Sequence, residues 1–145
     1  MNYLVHLLCM MLSSFTFAQI STDHVVTDEI SGFNWTTYVD NPDFSIEYKR
    51  TDCAVNSGLD KQYFLIKITN KTQSEISLNW EMELFYNGAC KTCGIDEYKW
   101  GYSVGPLASV EGDCAVGAEN KLRLFSKFID ANYSSDAELT GFKFS

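Results

Sequence analysis

The chain predicts an all-β fold, an antiparallel two-sheet sandwich of seven or eight short strands, on three observations. Beyond residue 30, apolar and polar side chains alternate with period two almost throughout, whereas a helix repeats its apolar face about every 3.6 residues. Turn-forming clusters recur about every ten residues, the spacing of sandwich and barrel strands. Several segments carry one clean polar face, as two sheets packed over a shared core require.

The elements follow in order. "FNWTTYV" (Phe33–Val39) reads as a strand. "FSIEYKR" (Phe44–Arg50) sets Phe44, Ile46 and Tyr48 on one face and Ser45, Glu47 and Lys49 on the other. "QYFLIKIT" (Gln62–Thr69) is apolar on both faces, as a central strand is. "NKTQSE" turns the chain into "ISLNWEMELFY" (Ile76–Tyr86), where Ile76, Leu78, Trp80, Met82, Leu84 and Tyr86 share one face. Trp80 is expected as the central core aromatic, and Glu81 and Glu83 as members of the solvated face. "EYKWGYSV" (Glu97–Val104), "LASVEG" (Leu107–Gly112), "KLRLFSKFI" (Lys121–Ile129) and "ELTGFKF" (Glu138–Phe144) complete the series, with room for a helical turn around "DANYSSDAE". "DNPDF" (Asp40–Phe44) reads as a turn in which Asp40 and Asn41 bond to backbone and Pro42 sets the bend; the same oxygens are a calcium-like set, which the turn explains more simply.

The length of 145 residues suits one domain with a real core. A net charge of -8 argues against a nucleic-acid backbone or an anionic membrane as partner, because both are held by Lys and Arg. The uncharged run "LVHLLCMMLSSFTF" (Leu4–Phe17) followed by "AQ" reads as a secretory signal peptide, residues 1–18, cut after Ala18. It is shorter than the roughly 20 residues a membrane span needs. Residues 19–30 then read as a polar arm holding His24, and 31–145 as a single sandwich domain, secreted, periplasmic or at the cell surface.

Removing the signal removes Cys9 and leaves Cys53, Cys90, Cys93 and Cys114, an even set in an oxidising compartment. Of three possible pairings the preferred one is Cys53 with Cys114 and Cys90 with Cys93; crossed pairing remains open. "CKTC" raises two rival chemistries. Thiol–disulfide catalysis needs the motif at a helix start, where the dipole lowers a thiol pKa, but the segment after Cys93 reads as strand and brings the acidic Asp96 and Glu97. A zinc site needs four convergent ligands, and neither a second CxxC nor a histidine pair is present.

No G-x-S-x-G, glycine-rich phosphate loop or H-E-x-x-H occurs, so no catalytic residue, metal or cofactor is assigned. Tyr98, Trp100 and Tyr102 fall on one face of a strand and form the candidate ligand surface, since ring faces suit glycan or peptide contacts; an ordinary core face is the plainer explanation. "NWT" at Asn34, "NKT" at Asn70 and "NYS" at Asn132 are sequons that matter only in a eukaryotic source.

The "FAQ" at the end of the signal and the "I-x-I-x-N-K-T" strand and turn leading into "SEISLNWEMELFYN" resemble small exported immunoglobulin-like β-sandwich proteins of the Bacteroidota. The likeness covers roughly Phe44 to Phe144 and implies fold and export, with no catalytic residue to transfer. The expected function is a disulfide-stabilised binding or structural surface module, not an enzyme, with an unknown protein or glycan partner. The alternatives are carbohydrate or peptide binding on the aromatic strand face, and thiol–disulfide exchange at the CxxC.

Overall fold

The computed structural model describes residues 24–30, 32–53, 60–115, 121–130, 133 and 137–145. The signal segment 1–18, the arm residues 19–23 and Asn132 lie outside that set. Of the helical turn read around 130–138, residues 130, 133, 137 and 138 are described, and none of them is helical.

The described residues form strands β1 (Val25–Val26), β2 (Thr36–Asp40), β3 (Phe44–Cys53), β4 (Lys61–Asn70), β5 (Ile76–Tyr86), β6 (Ala89–Cys90), β7 (Lys99–Val104), β8 (Ser109–Glu111), β9 (Arg123–Phe128) and β10 (Leu139–Phe144). They build two antiparallel sheets packed face to face. One runs β1-β10-β5, with β6 and β7 end to end along the other edge of β5. Its mate runs β2-β3-β4, with β8 and β9 end to end along the other edge of β4. Each sheet thus has one long strand whose far edge is shared by two short ones.

The alternation read from sequence fixes which face each strand buries. Leu78, Trp80, Met82 and Leu84 of β5 are buried against Phe44, Ile46 and Tyr48 of β3 and Phe64, Ile66 and Ile68 of β4. Full burial of each such side chain stabilises by roughly 1.5–3 kcal/mol. β4 is central, which explains its two apolar faces. Leu65 points outward yet is 4 % exposed, flanked in register by Lys49 and Arg123, whose aliphatic stems can roof it. On the same outer face the ring of Trp35 lies under both Lys49 and Lys67, at 4.4 and 4.5 Å, and Lys67 pairs with Glu47 at 2.5 Å.

The aromatic hub is Phe142 rather than Trp80. A bulge between Leu139 and Gly141 shifts the register of β10, so Leu139, Phe142 and Phe144 all reach the interior. Phe142 packs against Tyr48 at 5.3 Å and Phe64 at 5.6 Å, while Trp80 touches this cluster through Phe144 at 6.3 Å. The residues read as a polar arm end in structure: Val25 and Val26 pair with Phe142 and Gly141, and the buried Thr27 hydroxyl donates to the Leu139 carbonyl at 2.5 Å. His24 is exposed but stacks on Phe85 at 4.3 Å, and a β-carbon at position 141 would collide with its ring.

The turns show one correction. Asn41 Oδ1 accepts from the amides of Asp43 and Phe44, both at 2.9 Å, as expected of the "DNPDF" bend. Asp40 instead pairs with the Lys71 ammonium, because "NKT" is folded back beside it. Asn70 of that motif is 1 % exposed. Its amide donates to the carbonyls of Ser74, Val104 and Gly105, and its oxygen accepts from Thr72, so the two sheets' connections are clasped by one side chain.

Candidate functional site: the cysteine loop and the edge of β7

The site grows from the β5 edge. Asn87 and Gly88, with φ of 50° and 78°, make the tight turn from β5 into β6. Tyr86 then pairs with Ala89 and Phe85 with Cys90. The backbone pairing ends with the Lys91 amide donating to the Leu84 carbonyl at 2.8 Å, and Thr92 continues it with a side chain. Its hydroxyl donates to the Met82 carbonyl at 2.6 Å and accepts the Leu84 amide at 2.8 Å. Thr92 is 2 % exposed, so it serves two backbone groups that water cannot reach.

This anchored turn carries the CxxC. Cys90 is bonded to Cys93 with α-carbons 5.8 Å apart, and the Cys93 amide donates to the Cys90 sulfur at 3.1 Å. Gly94, at φ 71°, turns the chain out, and its amide donates to Glu81 Oε1 at 2.6 Å. The segment after Cys93 is not strand at once: Asp96–Tyr98 forms a three-residue 3₁₀ turn before β7 starts at Lys99. The turn is too short to supply a helix dipole, and it begins beyond the cysteines. Asp96 and Lys99 pair at 2.7 Å on its exposed side; the hydrogen bond from Lys99, then its charge, holds the Asp96 carboxyl below its usual range.

The second bridge joins Cys53 to Cys114, with α-carbons 5.5 Å apart and a sequence separation of 61. Cys53 ends β3, and Cys114 follows β8, so the bridge reaches across β4. The Arg123 guanidinium donates to the carbonyls of Asp113 and Ala115, both at 3.3 Å, and lies over the Tyr63 ring at 4.7 Å. All four cysteines are thereby spent in the pairing preferred from sequence. A zinc site built from them is incompatible with these bonds, and among the described residues no three His, Cys, Asp or Glu side chains converge as metal ligands.

The three candidate aromatic residues come together, but not as a bare outer face. Trp100 and Tyr102 stand opposite Trp80 and Leu78 in register and share their inward side, while Tyr98 lies in the preceding turn with its ring 6.0 Å from Trp100. All three are half-buried against the core. The Trp100 indole donates to the Glu97 carbonyl at 2.7 Å. On the opposite, outer face, a shallow groove of about 360 Å³ is bordered by Asn79, Glu81, Lys99, Gly101 and Ser145, with Trp100 at its margin. Glu81 and Glu83 belong to that face, as expected, and Glu83 accepts from Ser145. The backbone of Glu81 exchanges both hydrogen bonds with Ser145 on the β10 side. β7 must therefore lie on the opposite edge of β5, and among the described residues no strand pairs with the free edge of β7.

Sequence reasoning missed three contributors. β6 was announced by "Asn-Gly" at the end of an alternating run, a strong hairpin signal. Thr92 and Asn70 had no such signal, because their roles depend on backbone groups brought in by distant residues. No family model matches the chain, and no curated protein or solved structure is significantly similar to it.

Proposed function

We propose that the chain is an exported, disulfide-stapled module, immunoglobulin-like in kind, that works by binding or as a structural surface element and not by catalysis. The observation that carries this is the complete pairing of Cys53, Cys90, Cys93 and Cys114 in a chain that opens with a signal-like apolar run. Such pairing suits an oxidising compartment. The acidic balance suits a partner that is not an anionic polymer. Intact-mass and peptide mapping of secreted material without reductant tests it: a mature N-terminus at Gln19 and two bridges are expected. Cytosolic retention of the whole chain, or free thiols at these four positions, overturns it.

A narrower version places a glycan or peptide partner at the β7 edge, because Trp100 sits at the margin of the outer groove. A glycan or peptide array probed with the wild type and with Trp100→Ala addresses this. Signal lost with the indole while circular dichroism keeps its β signature supports that surface; an equal signal from both proteins removes it. Insulin-reduction turnover is expected to be nil.

A further inference from the structure

The sheet edges are guarded unequally. An open edge presents unpaired N–H and C=O groups, which proteins blunt with short strands, bulges, charges or cover. Among the described residues, β1 and β6 are two residues long and β8 is three. β2 breaks register between Thr37 and Val39, and β9 breaks register beside Gln62 and carries Arg123 and Lys127. β7 has none of these guards. Its six residues pair with β5 without a break. Its one charge, Lys99, stands at the end of the strand and is matched by Asp96. Gly101 and Ser103 are exposed and uncharged.

The direction of the β7 backbone follows from the ladder. Glu81 exchanges both of its backbone bonds with Ser145, so the backbone groups of the alternate residues Trp80 and Leu78 point toward β7. Their register partners Trp100 and Tyr102 point back at them. The backbone groups of Lys99, Gly101 and Ser103 therefore point away from the sheet. The Asp96 carbonyl takes the Lys99 amide. The Lys99 carbonyl, and the amides and carbonyls of Gly101 and Ser103, pair with no other group among the described residues.

We infer, building on the reading of β7 as the binding edge, that it takes up an extended cationic peptide as an added strand. Donors and acceptors in one line match a peptide backbone. The added strand runs antiparallel, as β7 itself does to β5. Half of its side chains then lie beside the half-buried rings of Trp100 and Tyr102, which suit apolar partners. The other half lie beside Gly101 and Ser103, at the outer groove. Around that groove and the preceding turn, Glu81, Asp96 and Glu97 stand against Lys99 alone, so basic side chains fit there. A second copy of the chain fits less well. Both copies carry -8, and a contact one strand wide and about 20 Å long falls short of the roughly 800 Å² per partner of a stable interface.

Amide titration of the mature protein with acetyl-Lys-Val-Lys-Val-Lys-Val-amide tests this. Shifts and slowed hydrogen exchange focused on Gly101 and Ser103 are expected. In the antiparallel register the lysine amides of the probe face β7 and the valine amides face away. N-methylation of the lysine amides should therefore abolish binding, and N-methylation of the valine amides should spare it. Ser103→Pro deletes an outward N–H without touching the bonds to β5; it should weaken binding at least fivefold, the worth of one hydrogen bond. Ser103→Ala, which keeps that N–H, should bind as the wild type does. Glu81→Gln should weaken binding about threefold, as an exposed ion pair provides. The inference is overturned if millimolar peptide leaves the Gly101 and Ser103 amides unmoved, if the lysine-methylated probe binds equally, if a Glu-Val probe binds as well, or if the same shifts appear with protein concentration alone. Unmoved amides together with an array signal that depends on Trp100 remove strand addition and leave the β7 surface standing.

Discussion

The two disulfides do opposite kinds of work. Cys53–Cys114 has a sequence separation of 61 and crosses a central strand, so it ties together parts that are far apart along the chain. Cys90–Cys93 spans three residues and closes a turn that Thr92 already pins to β5. Stabilisation by a cross-link grows with the loop it closes, whereas a hydroxyl bonded to two buried backbone groups acts at full strength over any separation. In the cysteine loop, the threonine between the sulfurs should therefore matter more than the sulfurs.

That contrast can be broken by substitution. Replacing Cys53 and Cys114 together by Ala should cost about 4 kcal/mol in urea unfolding, from the loop-closure term. Thr92→Val, which keeps the shape and deletes the hydroxyl, should cost about 3 kcal/mol by orphaning the Met82 carbonyl and the Leu84 amide. The Cys90→Ala, Cys93→Ala double variant should cost at most about 2 kcal/mol. If it exceeds Thr92→Val, the sulfurs hold the loop and the threonine is secondary.

Tyr86, at the base of the loop, sharpens the comparison more gently. Its hydroxyl donates to the Phe125 carbonyl at 2.6 Å, tying the β5 edge to the other sheet. Burial, then the neighbouring Tyr98 and Tyr63, push its pKa up to about 12. The unfolded phenol ionises near pH 10. The raised folded value therefore stabilises fully below pH 10, and that contribution is lost as pH rises toward 12. Allowing for partial exposure, about 1 kcal/mol should disappear over that window. Unfolding midpoints across the window should flatten in Tyr86→Phe.

The sandwich was legible because its cause is local. Leu78, Trp80, Met82 and Leu84 announce their shared face by spacing alone, and the apolar outer face of β4 announces its central place. The favoured cysteine pairing also followed from sequence. What stayed hidden depends on contacts between distant residues. The bulge that makes Phe142 the hub, the inward turn of Trp100 and Tyr102, and the clasp of Asn70 on Val104 and Gly105 are set by register and by connections the alternation does not encode. Val25 and Val26 read as part of an arm because two residues are too few to show a period; they become a strand only when β10 arrives.

The long bridge has a consequence for how the molecule is made. Synthesis runs from the N-terminus, so Cys90 and Cys93 emerge before Cys114 and are the first thiols within reach of Cys53. Correct cross-linking must then either wait for the late cysteine or undo an early mistake. Closing the small ring first removes both wrong suitors, which gives the otherwise modest Cys90–Cys93 link a part in guiding maturation.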